Sequence, residues 1–234
     1  MNVYALGDLH LSLAVPKPMN IFGDNWTDHD KLIEHNWTSI VKDDDLVLIP
    51  GDISWAMHIE QAKRDIDFID SLPGKKVMIK GNHDYWWGSI SKVRSILGQD
   101  FFALQNDNVR FGNLIVCGTR GWVCPGSVYF KAEDDQKIYD REVLRLKLSL
   151  SNVKKQQNDK LIVMVHYPPF NEKRTHLELT EIFDQYKVDK VVYGHLHSKS
   201  CQSAFEGNIG GVEYTLTSSD HLNFSPKLIM TGID

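Results

Sequence analysis

Five short segments of this sequence hold side chains of the kind that bind metal ions: Asp8-Leu9-His10, Gly51-Asp52, Gly81-Asn82-His83-Asp84, His166 and Gly194-His195-Leu196-His197. The candidate ligands are Asp8, His10, Asp52, Asn82, His166, His195 and His197. Two carboxylates, one amide and four imidazoles are too many for one ion of ordinary coordination number. They suit two ions that share a carboxylate. Two cations about 3.5–4 Å apart can clamp a phosphoryl group and lower the pKa of a water held between them. Chemistry of that kind needs no Ser or Cys nucleophile.

Each segment follows an apolar run, at residues 3–6, 46–49, 77–79, 161–165 and 191–193. Runs of that length read as buried strands. The donors then fall at the C-terminal edge of a sheet, where ligands bind in open α/β folds. Helical periodicity fills the gaps. Residues 28–41 place Ile33, Trp37, Ile40 and Val41 on one face, and residues 57–71 place Ile59, Ala62, Ile66 and Ile69 likewise until Pro73-Gly74 ends the pattern. Residues 89–97 and 175–186 are predicted helices, and the longest runs from 133 to about 156 with Tyr139, Val143, Leu146, Leu150 and Val153 as its stripe.

Residues 114–117 add a strand. Residues 211–217 and 227–231 read as two more with no helix between them, which predicts an antiparallel pair. No repeat, low-complexity stretch or long polar linker interrupts the alternation. The expectation is a single α/β domain over residues 1–234 with mixed sheet content. The loops at 12–25 and 122–131 follow strand ends and could wall a pocket.

Composition sets outer bounds. The 234 residues suffice for one well-buried core, and 42% hydrophobic with 24% charged residues is ordinary for a globular chain. The formal net charge of −5 disfavours a long nucleic-acid partner. Cys117, Cys124 and Cys201 show no paired spacing, so they read as reduced, mostly buried thiols. No secretory signal and no run of about 20 apolar residues is visible, and the cytoplasm is the expected compartment.

Taken in order, Asp-x-His, Gly-Asp, Gly-Asn-His-Asp, His and Gly-His-x-His resemble the calcineurin-like metallophosphoesterase superfamily from Asp8 to His197. The resemblance implies a two-sheet β-sandwich flanked by helices, a four-layer αββα arrangement with a dinuclear site at the strand ends. It implies Asp8, His10 and His197 at one metal, Asn82, His166 and His195 at the other, and Asp52 shared. His83 would be the catalytic histidine, and Asp84 would orient it through a ring nitrogen. His195 and His197 are expected to face the site together as alternate residues of an extended segment. Gly51-Asp52 continues as Ile53-Ser54-Trp55 and lacks the Val-Asp-Arg-Gly of the protein Ser/Thr phosphatase branch, so that role is disfavoured. The resemblance leads to a metal-dependent phosphoesterase using Mn, Fe or Zn on a small phosphoester, in which a metal-bridging hydroxide attacks phosphorus. A diester is favoured over a monoester. The rival from another class is a non-catalytic scaffold of the same fold.

Other residues weigh less. Arg120, just after the strand at 114, could grip a substrate phosphate or sit in a surface salt bridge. Trp55, Trp86, Trp87 and Trp122 lie near the ligand segments, and two of them are expected in the core. Asp28-His29-Asp30 reads as an acidic first helical turn. His35, His58, His176 and His221 have no motif around them, and Asp43-Asp44-Asp45 reads as a solvated loop.

Overall fold

Both faces of the main strands are apolar because both are covered. The computed structural model describes residues 1–234. Its strands are β1 (Val3–Ala5), β2 (Leu46–Ile49), β3 (Lys75–Met78), β4 (Phe101–Ala103), β5 (Asn108–Phe111), β6 (Leu114–Thr119), β7 (Lys160–Val165), β8 (Lys190–Tyr193), β9 (Gly207–Ile209), β10 (Val212–Leu216) and β11 (Lys227–Met230). The α-helices are α1 (His29–Ile40), α2 (Ile59–Ser71), α3 (Ile90–Arg94), α4 (Ala132–Ser151) and α5 (Glu178–Gln185). One sheet has the order β11-β1-β2-β3-β4 and the other β5-β6-β7-β8-β10-β9. Within each, the central strands are parallel, and antiparallel strands β11, β5 and β9 close edges.

Period-two alternation assigns each strand residue to a layer. In β2, Leu46 and Leu48 point into the space between the sheets, with Val3, Val77, Val116, Ile162 and Val192. Val47 and Ile49 point the other way, onto Ile33 and Trp37 of α1 and Ile66 and Ile69 of α2. In the second sheet, Val163, Val191 and Tyr214 pack on Val143 and Leu146 of α4 and Phe183 of α5. The result is the expected αββα order of layers. Each fully buried aliphatic side chain contributes about 1.5–3 kcal/mol, so the sandwich fixes the strand ends firmly. No helix is long and apolar enough to cross a membrane.

Three sequence expectations need correction. β10 and β11 do not pair: β10 lies parallel to β8 in one sheet, and β11 lies antiparallel to β1 in the other. The chain between them crosses from sheet to sheet and buries Ser218, Ser219 and Phe224 on the way. The hairpins are elsewhere, at Gly210-Gly211 between β9 and β10 and at Gly112-Asn113 between β5 and β6. Both are two-residue turns with left-handed glycine, a local signal that favours tight hairpins. α4 stops at Ser151, short of 156, because Asn152 leaves helical geometry and the polar run after Val153 has nothing to bury. Asp45 is buried, not solvated; its carboxylate accepts the N–H groups of Asn2 and Lys42 and ties the entry of β2 to β1.

Candidate metal centre

The topology brings all seven candidate donors to one place. Asp8 and His10 follow β1, Asp52 follows β2 and Asn82 follows β3, three adjacent strands of one sheet. His166 follows β7, and His195 and His197 follow β8, adjacent strands of the facing sheet. The loops are stitched together by backbone bonds: Asp8 N–H donates to Gly51 O at 2.9 Å and His10 N–H to Asp52 O at 3.0 Å.

The donors fall into two groups with the Asp52 carboxylate between them, and Asp8 is common to both ligand clusters. His10 Nε2 and His197 Nε2 stand 3.3 Å apart, with Asp8 Oδ1 3.4 Å from the latter. His166 Nε2 and His195 Nδ1 converge on Asn82 Oδ1 at 2.7 and 2.8 Å. Asp52 Oδ2 lies between the sets, 3.7 Å from His10 Nε2 and 3.5 Å from His166 Nε2. Its other oxygen accepts the His83 N–H at 2.7 Å. Asp8, His10 and His197, and likewise Asp8, Asp52 and His166, bring their ligand atoms close enough to share an ion.

The chemistry of these donors fits cations. His166 Nδ1 faces the Pro50 carbonyl at 3.0 Å, an acceptor, so Nδ1 carries the proton and Nε2 a lone pair. That lone pair points at the oxygen of Asn82. His197 Nδ1 likewise bonds Asp220 Oδ1 at 2.9 Å, which directs its Nε2 toward His10 and Asp8. The facing lone pairs of His166 and Asn82 repel, and a cation between them removes the repulsion. Burial also keeps the imidazoles neutral, the form that binds metal. It lowers the pKa of His10 and His166, and, with His166 nearby, it takes His195 down to about 3. His197 is the exception: burial would lower its pKa, but hydrogen bonds to Asp220 and Asp8 outweigh this and raise it to about 10. Burial would raise the Asp8 carboxyl; the bond to His197 and the surrounding imidazoles hold it below the usual range.

The glycines of the motifs are there for close approach. A Cβ on Gly194 would overlap the Asp8 carboxylate, and one on Gly81 would overlap that of Asp52. The candidate donors themselves bear the strain of convergence. Asp8, His10, Asp52 and His195 all have left-handed backbone, with φ of 55°, 46°, 53° and 73°. Non-glycine residues pay roughly 1 kcal/mol or more for that conformation, and such sites cluster where function demands them. His195 therefore does not continue an extended segment as expected. The turn at its own φ, rather than strand alternation, sends its ring to Asn82 and leaves the His197 ring to meet His10.

Asp84 also differs from its expected part. Its buried carboxylate accepts the N–H groups of Gly81, Asp52, Ile53 and Ser54 and the Trp86 indole N–H, at 2.7–3.1 Å. Its bonds lock the β2 and β3 loops together and none goes to the His83 ring. His83 Nδ1 instead faces the Tyr85 hydroxyl at 3.4 Å. Its ring lies 4.5 Å from that of Trp55, which stacks on His10 at 4.9 Å. Burial chiefly, then the charges of His166 and Lys17, lower the His83 pKa to about 4.

Several supporting residues escaped the sequence reading. Asp220 holds His197 and also accepts the Ser198 N–H at 2.8 Å; nothing in its local sequence announces this. Trp26 meets His10 and His197 edge-on, and Tyr167 packs 4.0 Å from His195. His29, inside the acidic first turn of α1, is buried and its Nε2 lies 3.3 Å from the His10 carbonyl. Asp65 did leave a trace: it lies on the apolar stripe of α2, three residues after Ala62 and four before Ile69. It bonds the Ser54 hydroxyl and the Leu13 N–H, joining the loops behind Asp8 and Asp52. Trp86 and Trp87 are core residues, whereas Trp55 and Trp122 are half-buried. Arg120 pairs with buried Glu142 at 3.4 Å and lies 4.6 Å over the Trp122 ring. His35, His58 and His176 are exposed, and His221 pairs with Glu206.

Comparison with known proteins places this geometry in context. The sequence profile of the calcineurin-like phosphoesterase family matches residues 1–199. The "uncharacterized protein MJ1445" of Methanocaldococcus jannaschii is 24% identical over 166 residues, 70% of this chain and 90% of that one. The "gene 66 protein" of Mycobacterium phage L5 is 34% identical over 83 residues, which cover 36% of this chain and 40% of the phage protein. Among solved structures, the protein of unknown function AQ665 from Aquifex aeolicus aligns over 97% of this chain and 94% of its own at a TM-score of 0.51 and 15% identity. The phosphopantetheinyl hydrolase PptH from Mycobacterium tuberculosis aligns over 93% and 88% at a TM-score of 0.56 and 12% identity. At those identities the two structures share the fold with this chain.

Proposed function

We propose that this chain, which belongs to the calcineurin-like phosphoesterase family, hydrolyses phosphodiesters with two bound metal ions. The observation that carries the reading is the position of Asp52 Oδ2, 3.7 Å from His10 Nε2 and 3.5 Å from His166 Nε2. Asp8, His10 and His197 would hold one ion, Asn82, His166 and His195 the other, and Asp52 both. Imidazole with carboxylate suits Mn, Fe and Zn alike. Bound there, the ions would activate a water and polarise the phosphoryl oxygens.

The rest of the work falls to the protein. His83 Nδ1 is taken up by the Tyr85 hydroxyl, which leaves Nε2 as the atom that can donate to the leaving oxygen when it carries the proton. An anionic phosphoester beside the ring would raise its lowered pKa and favour the protonated, donating form. Trp55 limits the motion of the ring from one side. Lys17 sets its ammonium 3.1 Å over the Trp55 ring, so the wall beside His83 is positive as well as aromatic. Tyr85, 54% exposed, extends the aromatic surface toward solvent. Such a surface suits an ester with two organic substituents, and this supports a diester over a monoester.

The test is turnover of bis(p-nitrophenyl) phosphate and p-nitrophenyl phosphate with Mn²⁺, alongside metal content by mass spectrometry. Faster diester turnover is expected. His83→Ala should lower kcat by about 10²–10⁴-fold, the range for a lost general acid, while metal content stays near that of the unaltered protein. Faster monoester turnover would move the reading to a phosphomonoesterase. Bound metal without turnover of either ester would favour the scaffold.

A further inference from the structure

Beside the metal centre, the ends of β3, β4 and β6 and the flank of α4 enclose a cleft of about 30 Å³. By the room one water needs, it holds about two waters, or the oxygens of one small anionic group. Lys80, Arg120 and Arg145 line it, with Gln105 and Asn106, and its one carboxylate is Glu142. We infer that this cleft binds a second anionic group of the substrate, a phosphate or a carboxylate, next to the ester that is cleaved. The inference rests on the phosphoesterase reading and narrows it to substrates with an additional negative charge.

The cations outnumber what their carboxylate can satisfy. Glu142 is 1% exposed, and its oxygens are taken up by Thr119 Oγ1 at 2.7 Å, Arg145 at 2.8 Å and Arg120 at 3.4 Å. Arg141 approaches the same carboxylate at 3.9 Å. Lys80 makes no ion pair; its ammonium donates to the Trp87 carbonyl at 3.1 Å. Arg120 Nε is buried without a hydrogen-bond partner. A structural ion pair would account for Glu142 and one arginine. It leaves the Arg120 Nε–H without an acceptor, and Lys80 without a carboxylate partner, beside a small cleft. The Trp122 ring under Arg120 fixes the guanidinium plane, which favours two-pronged contact with an oxyanion.

The cleft is also in the right place. The Arg120 carbonyl accepts the N–H groups of His166 and Tyr167, both at 3.0 Å. β6 neighbours β7, so Arg120 starts about one strand spacing, ~4.8 Å, from the His166 ligand. Lys80 precedes Asn82 by two residues. An ester at the metal centre and a second anion in the cleft are therefore within reach of one small molecule.

The experiment uses a matched pair: the p-nitrophenyl ester of thymidine 5′-phosphate, with and without a phosphate on the 3′ oxygen. Turnover is measured with Mn²⁺ for the unaltered protein, Lys80→Gln and Arg145→Gln. Both side chains are partly exposed, and circular dichroism checks each fold. The 3′-phosphorylated ester is expected to show a lower KM, with kcat/KM about tenfold higher, the worth of one charge-assisted hydrogen bond. The ratio between the two esters should fall toward one in each variant. No preference in the unaltered protein, or a preference that both variants keep, overturns the inference. If neither ester turns over, calorimetry compares thymidine 3′,5′-bisphosphate with thymidine 5′-phosphate on the same three proteins. Tighter bisphosphate binding that the variants lose would keep the cleft and reject the phosphoesterase reading. Equal affinities would reject the cleft itself.

Discussion

Removing Asp220 should loosen a metal ion that Asp220 never touches. Asp220 Oδ1 takes the Nδ1 proton of His197 at 2.9 Å, and Oδ2 takes the Ser198 N–H at 2.8 Å. The first bond keeps the His197 lone pair on Nε2, facing His10, and raises its basicity; the second holds the backbone that carries the ring. Loss of such a partner behind a ligating histidine typically costs 10–100-fold in metal affinity, or about 1.4–2.8 kcal/mol. Asp220 is 4% exposed but His197 is 30% exposed, so water can take over part of the lost bond. The expected loss for Asp220→Ala is therefore at the low end, about tenfold to thirtyfold. Asp220→Asn keeps an oxygen that can accept from Nδ1 and should recover most of it. Competition with a chromogenic chelator for Zn²⁺ measures the affinities, and urea denaturation checks that both variants fold. Affinity for Asp220→Ala equal to that of the unaltered protein would refute the assigned role, as would Asn performing no better than Ala.

Asp52→Asn preserves shape and the bond from His83 N–H but removes the negative charge between the two groups of donors. Activity should fall by more than about a hundredfold, the upper end for a mere supporting residue, and metal analysis should show less bound metal per chain. Gly194→Ala forces a methyl group against the buried Asp8 carboxylate, so thermal melts should show a loss of about 1–3 kcal/mol together with reduced metal content. Asp189 tests the pH dependence of stability away from the site. Burial would raise its pKa, but Lys155, the Leu161 N–H and Lys160 together hold it below the unfolded value. Its contribution is then full above the unfolded pKa, about 3.9, and disappears as pH falls through the folded one. Asp189→Asn should cost about 1 kcal/mol at pH 7 and almost nothing near pH 2, read from urea curves at both.

Much of this was legible in the chain itself. The strands at 46–49 and 161–165 could be read because both faces of each are buried, so their residues are apolar without interruption. The donors could be read because each follows such a run directly, and the glycines before Asn82 and His195 mark where backbone must pass close to a carboxylate, as the one before Asp52 marks where it passes close to Gly81 and the His166 ring. The stripes of α1 and α2 followed from the same burial on one side only.

What the sequence could not assign were partnerships between distant segments. Asp84 sits next to His83 in the chain, yet its hydrogen bonds join the β2 loop to the β3 loop. Asp220 lies 23 residues from the histidine it holds. β10 and β11 are neighbours in sequence and belong to different sheets. Lys80, Arg120 and Arg145 come from three elements and acquire a common purpose only when β3, β6 and α4 close around one cleft. Burial and turn geometry are local properties of the chain, so residue types and their spacing determined the strands, the helices and which donors gather at the strand ends. Hydrogen bonds and ion pairs depend on direction and distance across the sandwich, so only the packing of one sheet against the other decided which side chains support the ligands and which charges stay unpaired.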